Sequence, residues 1–259
     1  MARHEAEGNR LLEKIAWVLI LAAPAVGSFA ALLADRIAEG RDWVRAHSVC
    51  DGCGRRLTVF ELVPILSWLL LGGRARCCGT PIRARLVAAE VAALVLVLWA
   101  AFVVPPALLL PSAGLAWTLL ALALIDLRVR RLPDPGTLGL VAAGLCFALA
   151  GQLGAPLTHL LGAVLGYCAL AGVAAAYRAW RGIDALGLGD AKLFAAAGAW
   201  LGPEALPSVV LIGAGVGLLQ AGLMSLGGRR LAANTAVPFG PGLALGFWVC
   251  WLHGPLQLG

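Results

Sequence analysis

PALLLPSAGLAWTLLALALID, residues 106–126, decides the fold. Its first twenty residues carry no charge, and only then does Asp126 arrive. A helix needs roughly 20 apolar residues to cross about 30 Å of hydrocarbon, so this stretch reads as a membrane span. Working outward, further apolar runs fall at about 11–34, 86–104, 137–153, 157–177, 190–202, 206–226 and 236–253. Several are short or broken by Pro and Gly. The expected fold class is all-α: a polytopic integral membrane protein of about eight transmembrane helices, with a cysteine-containing loop domain after the first. Composition agrees. The chain has 259 residues, 61% hydrophobic and 13% charged, with a mean hydropathy of +0.88. Soluble domains carry roughly twice that share of charge. Soluble, disordered, collagenous and disulfide-stapled secreted classes are excluded. The first run is too long for a cleaved signal peptide, and no short polar cleavage region follows it.

The placement of the basic residues sets the topology. Nine arginines lie between Arg36 and Arg85, among them Arg41, Arg45, Arg74 and Arg83. Arg128, Arg130 and Arg131 follow, then Arg178, Arg181 and Lys192, then Arg229 and Arg230. The alternate connections hold none. Eight spans with this alternation place the 36–85 loop in the cytoplasm and both termini outside. Arg3, Arg10 and Lys14 disagree, but they are outnumbered seventeen to three. The expected division is a tail and first helix over 1–35, a cytoplasmic Cys-rich loop over 36–85, and a transmembrane core over 86–259. The net charge of +6 therefore serves topology, and no nucleic-acid partner is expected. Gly213 to Gly217 reads as small-residue helix packing instead of a nucleotide loop, because no strand precedes it.

Three acids abut or interrupt apolar runs: Glu90, Asp126 and Asp190. A charge at membrane depth is costly and marks a functional site by default. Asp126 and Asp190 both fall at the cytoplasmic end of a span. Two close carboxylates share one proton, so one can activate water while the other protonates the leaving amine. That is aspartic-protease chemistry and needs no cofactor. Gly187 and Gly189 remove side chains beside Asp190, which opens room for a substrate backbone. Glu90 reads as a structural partner of Arg83 or Arg85, or else as a third polar group beside the two aspartates, and Asp134 as turn or cap chemistry.

Cys50-Asp-Gly-Cys53 is a C-x2-C pair, and Cys77-Cys78 follows 24 positions after Cys53. Four thiolates on two turns suit a structural zinc ion, and a reducing cytoplasm favours metal over disulfide. Cys146, Cys168 and Cys250 stand alone in apolar runs and read as small buried hydrophobes.

Taken in order, these motifs resemble the prepilin peptidase family. Gly27-Ser28-Phe29 with Arg36 is similar to its first-helix signature. Cys50 to Cys53 is similar to its first cysteine pair, and Glu61 to Trp68 to its Pro-Ser stretch. Ile125-Asp126-Leu127 with Arg131 to Asp134 resembles the segment carrying the first catalytic Asp. Gly187-Leu-Gly189-Asp190 resembles the Gly-x-Gly-Asp motif carrying the second. Gly198-Ala-Trp200-Leu-Gly202 and Val237-Pro-Phe-Gly-Pro241 continue the pattern. One position departs: Ala75 stands where the family's third cysteine is expected, with Cys77 nearby.

The resemblance implies a membrane aspartic endopeptidase of the bacterial inner membrane. Its substrates are prepilins or pseudopilins of type IV pili or type II secretion. Their short basic leader is cut at the cytoplasmic face, after a Gly. It also implies N-methylation of the new N-terminus from S-adenosylmethionine, for which the sequence names no residues. The rival classes are a proton-coupled transporter, another Gly-x-Gly-Asp intramembrane protease, and a catalytically silent membrane scaffold, which retention of both aspartates opposes. The absence of inverted repeats opposes the first, and the cysteine loop opposes the second.

Overall fold

The computed structural model describes residues 2–41, 48–182, 186–226 and 238–257, with side chains from Arg10 onward except that of Val59. Arg45, Arg229, Arg230 and Val237 lie outside the described residues. Among the described residues there are nine α-helices and no extended strand. They are α1 (Ala2–Ala38), α2 (Leu66–Leu70), α3 (Ala84–Val103), α4 (Pro106–Val129), α5 (Asp134–Leu149), α6 (Pro156–Arg181), α7 (Leu188–Leu201), α8 (Leu206–Leu226) and α9 (Gly240–His253). Among the described residues, each apolar run contains a helix, and five segments are long and apolar enough to cross a membrane: Arg10–Ala38, Ala84–Val103, Pro106–Val129, Pro156–Arg181 and Pro203–Leu226. Helix α5 has 16 residues, and α7 and α9 have 14 each. At 1.5 Å per residue these reach about 21–24 Å.

The chain divides into two compact units, Met1–Arg128 and Val129–Gly259. In the first, α1 packs on α3. Lipid gives helices little hydrophobic reason to associate, so close backbone contact must do it. Gly27 allows that contact: a Cβ there would lie 2.4 Å from the Ala89 carbonyl oxygen. Ala23, Ala30, Ala31 and Ala34 are buried on α1.

The second unit is built around α7. From Leu193 to Trp200 every residue of α7 is buried, as expected of a helix apolar all round. Gly162 on α6 and Gly198 on α7 touch backbone to backbone; a Cβ on Gly198 would stand 2.1 Å from the Gly162 carbonyl oxygen. On the other side, Trp200 lies over Gly144 of α5 and its Nε1 donates to the Leu140 carbonyl at 2.8 Å. Buried His159 fastens the far end of α7. Its ring nitrogens lie 3.1 Å from the Ala199 carbonyl and 2.9 Å from the Leu153 carbonyl. Helices α8 and α9 meet where a Cβ on Gly242 would come within 2.5 Å of the Gly213 oxygen. Gly213 is thus a packing glycine, whereas Gly215 and Gly217 face open space.

The isolated cysteines differ from expectation in part. Cys250 is buried, but Cys146 and Cys168 are exposed on α5 and α6. A thiol is weakly polar, and it sits there among outward Leu149, Leu161 and Leu165, a surface suited to lipid.

Candidate active site and metal centre

Asp126 occupies the last turn of α4 and is buried, directly after buried Ile125. Asp190 occupies the first turn of α7, half-buried, behind Gly187 at the helix cap. Its N–H donates to the Gly187 carbonyl at 3.1 Å. Asp126 belongs to the first unit and Asp190 to the second, so each is described within its own unit. One sits at the C-terminal end of its helix and the other at the N-terminal end. Helix ends carry partial charges of opposite sign, so the two carboxyls have unlike surroundings.

Within the Gly-x-Gly-Asp turn, Gly189 has a packing role of its own. Gly189 opens toward Leu132: a Cβ there would stand 2.9 Å from the Leu132 Cβ. Gly187 opens toward the carboxylate of Asp190 itself, at 3.5 Å. The missing side chain at Gly189 lets the segment before α5 close on the start of α7. That closure is pinned by an ion pair, Lys192 Nζ to Asp134 Oδ1 at 2.5 Å. Asp134 is therefore more than a cap.

The acid missed by sequence reasoning is Asp35. It is only 3% exposed and gathers three guanidiniums: Arg83 at 3.0 Å, Arg85 at 2.7 Å and Arg128 at 3.0 Å. Arg83 also reaches Asp51 at 3.0 Å, between the first two cysteines. One signal was readable, since Asp35 directly ends the first apolar run and precedes Arg36. Glu90 is the corresponding correction. Arg83 and Arg85 are taken by Asp35, and buried Glu90 instead accepts the Ile65 N–H at 2.7 Å. Ile65 needs that support. Its φ of 59° and ψ of −54°, with the Leu66 N–H on the Pro64 carbonyl at 2.5 Å, make a positive-φ γ-turn, a rare and strained form.

The four loop cysteines come together. The Sγ atoms of Cys50, Cys53, Cys77 and Cys78 all lie within 4.8 Å of one another. Three pairs stand at 3.5, 3.4 and 3.8 Å, near the ~3.8 Å edge of a tetrahedron with 2.3 Å metal–sulfur bonds. The cluster can bind a metal. Two similar turns build it. In the first, Val49 bridges Arg56, the Cys50 N–H donates to the Arg55 carbonyl, and Gly54 at φ 71° donates back to Cys50. In the second, Arg74 bridges Pro81, the Ala75 N–H donates to the Thr80 carbonyl, and Gly79 at φ 73° donates back to Ala75. In this register Cys53 matches Cys78, and Ala75 matches Cys50. The sulfur lost at Ala75 is supplied from Cys77, which matches Gly52. Gly52 must be small, because a Cβ there would stand 2.1 Å from the Thr80 Oγ1.

The thiols are unequal. The hydroxyl and N–H of Thr80 draw the Cys78 thiol down to about 6. Hydrogen bonds with Cys53 and Cys50 push the Cys77 thiol up to about 12. Nearby, Glu61 accepts both the N–H and the hydroxyl of Thr58 at 2.8 Å, which holds its carboxyl below the usual range.

Residues 21–104 match the bacterial peptidase A24 N-terminal domain, and residues 113–222 match the type IV leader peptidase family. A prepilin leader peptidase/N-methyltransferase of Aeromonas hydrophila is 39% identical over 210 residues, 80% of this chain and 72% of that protein. The chain belongs to the type IV leader peptidase family. A relative of the same description from Klebsiella pneumoniae is 38% identical over 201 residues, covering 75% of this chain and 88% of its own. One from Burkholderia pseudomallei (strain K96243) is 43% identical over 201 residues, 77% of this chain. The match spans 65% of that relative's length. No solved structure matches the chain.

Proposed function

We propose that this protein is a membrane aspartic endopeptidase that removes the basic leader of type IV prepilins or pseudopilins at the cytoplasmic face of a bacterial inner membrane. The observation that carries the reading is the Gly187-x-Gly189-Asp190 turn at the head of α7, with a second carboxyl, that of buried Asp126, ending α4. In this reading the two carboxyls share one proton. One carboxylate takes a proton from water as it attacks the scissile carbonyl, and the other carboxyl protonates the departing amine. Lipid-facing leucines would accompany the apolar helix of the substrate, which places the scissile bond at the interface.

The cysteine cluster is proposed to hold zinc as a structural ion, through Cys50, Cys53, Cys77 and Cys78. Methylation of the new N-terminal amine is proposed from the relatives' description, with S-adenosylmethionine supplying an electrophilic methyl group on sulfur.

The test is leader loss from a co-expressed prepilin, followed by gel mobility in membranes. Wild type should cut. Asp126→Asn and Asp190→Asn should each accumulate normally and stop cutting, a loss of at least 1,000-fold. Mutants that cut like wild type would remove the assignment.

A further inference from the structure

We propose that residues 60–70, inside the polar loop between α1 and α3, are an interfacial anchor that lies in the lipid leaflet on that side and engages its anionic headgroups. This rests on the membrane-spanning reading of α1 and α3, and it adds to the proposed function a contact with lipid outside the spanning helices.

The stretch reads FELVPILSWLL, with Glu61 its one charge. It is too short to span a bilayer, and a loop surrounded by water would turn such side chains inward. The structure does the opposite. Phe60 is 83% exposed and Leu70 76%, and Leu62, Val63, Leu66 and Leu69 are exposed as well. An apolar surface gathered in this way marks contact with protein or lipid. The strained turn at Ile65 arranges it. Pro64 and Ile65 are half-buried, and the Ile65 N–H is held by Glu90 at 2.7 Å. On either side of that attachment the chain shows its apolar residues outward. Strain of this kind persists only where the surroundings fix it, and here a residue of α3 fixes it.

Depth selects lipid. Helix α3 has 20 residues, about 30 Å at 1.5 Å each, which only just matches the hydrocarbon thickness. Its second turn therefore lies within the bilayer. Glu90 belongs to that turn, about 9 Å along the axis from Ala84. A helical side chain leans back toward the N-terminus, which recovers only part of that distance. Ile65, attached to Glu90, thus sits level with the first two turns of α3. Gly27 of α1 crosses at the same level, where its missing Cβ would stand 2.8 Å from the Glu90 Cα. Phe29 and Val91, beside this crossing, are exposed. The neighbours of the segment already face lipid at its own depth.

Charge selects the kind of lipid. Arg55, Arg56, Arg74 and Arg76 flank the segment and are exposed, and Glu61 is the one acid between residues 54 and 76. Arg55 pairs with Glu61 at 2.6 Å, and Arg55 and Arg76 line one hollow with Thr58 and Glu61. Two of the bases therefore stand where the apolar segment begins. Apolar side chains with a basic border suit an element sunk roughly 5–10 Å into an anionic interface. Protein occupants fit this border less well. The basic leader of a prepilin would be repelled by it, and a second copy of this chain would bring the same charges to it.

The test uses the full chain in nanodiscs of phosphatidylcholine and phosphatidylglycerol, with the fluorescent residue acridonylalanine replacing Leu70. Lipids carrying a shallow nitroxide should quench this probe about twofold or more, as for a group roughly 5–10 Å into the leaflet, and aqueous iodide should quench it little. The same probe replacing Val95, on the exposed middle of α3, should be quenched by a nitroxide at the bilayer centre. In phosphatidylcholine alone, lipid quenching at position 70 should weaken. Arg56→Gln combined with Arg76→Gln should remove that dependence on phosphatidylglycerol. Photoactivatable phosphatidylglycerol, cross-linked to wild type and mapped by mass spectrometry, repeats the test on the unaltered chain. Label within residues 60–70 supports the anchor, and label confined to other segments opposes it. Quenching at 70 by iodide and not by lipid would put the segment in water, and quenching by neither would put it against protein. Either result, with the Val95 probe quenched by lipid, overturns the anchor alone. A Val95 probe that lipid does not reach overturns the spanning reading with it. Equal quenching at 70 without phosphatidylglycerol overturns the headgroup contact.

Discussion

Arg128 Nη2 lies 3.0 Å from Asp35 Oδ1, tying the end of α4, two residues past Asp126, to the end of α1. Arg83 and Arg85 share the same carboxylate, so one buried acid holds three helix ends together. The carboxylate is buried, but its guanidiniums are 34–40% exposed, so solvent screens the charges left behind and the loss falls below the about 3–5 kcal/mol of a fully buried pair. Asp35→Asn should still lower the thermal midpoint clearly. Arg128→Gln should be milder alone and should recover part of the loss when combined with Asp35→Asn, because one stranded guanidinium is gone. A double-mutant cycle on melting in detergent reads this. Additive losses would mean that the pair does not couple.

Cys77 stands in for the sulfur missing at Ala75. Cys77→Ala should reduce bound metal to near zero, measured by elemental analysis of purified protein. Ala75→Cys in that background should restore it, since position 75 matches Cys50 in the paired turns. If Cys77→Ala keeps its full metal content, the fourth ligand is another group.

The unequal thiols give a pH signature. Thiolate is the nucleophile toward alkylating agents. In chelator-treated protein, Cys78, drawn down to about 6, should reach half-maximal iodoacetamide labelling near that pH. Cys77, pushed up to about 12, should label slowly at pH 8 and faster only as pH rises further. Mass spectrometry of the loop peptide separates them. Thr80→Val removes the hydroxyl that favours the Cys78 thiolate and should move its labelling to higher pH.

The sequence carried the helices well and the polar contacts poorly, for a physical reason. Hydropathy is a local property, so all eight apolar runs could be read, as could the three acids, Glu90, Asp126 and Asp190, that abut or interrupt them. Ion pairing is not local. Asp35 meets Arg83 and Arg85 from 48 and 50 positions away, and nothing near residue 35 announces them. Glu90 was assigned to those arginines because they are its neighbours in sequence. The fold instead gives them to the more buried acid and gives Glu90 a backbone N–H. The cysteine cluster was legible in its members, but the matching of Ala75 with Cys50 required the paired turns.

Glu90 offers a direct test of that last point. Glu90→Gln keeps an oxygen for the Ile65 N–H and should fold nearly as wild type does. Glu90→Ala leaves the N–H without its acceptor beside a strained turn, a cost of about 1–3 kcal/mol. Faster proteolysis between residues 58 and 72 in Glu90→Ala, and not in Glu90→Gln, would show that the carboxylate holds the turn. Equal proteolysis would show that it does not.

Gly189 provides the closest link between packing and chemistry. Any side chain at 189 drives a Cβ to 2.9 Å from that of Leu132, and either the segment before α5 or the first turn of α7 must yield. The Lys192–Asp134 pair anchors the two elements to each other, so the yielding falls on the turn that carries Asp190. Gly189→Ala should accumulate in membranes yet lose tenfold or more of leader cleavage, since misplacing a catalytic group by about 1 Å costs on the order of 100-fold. Leu132→Gly removes the closest obstructing atom, and the double variant should regain part of the rate. Recovery would locate the defect in this contact. A Gly189→Ala protein with full activity would show that the turn tolerates the shift. A double variant no faster than Gly189→Ala would mean that the glycine is needed for something other than room beside Leu132.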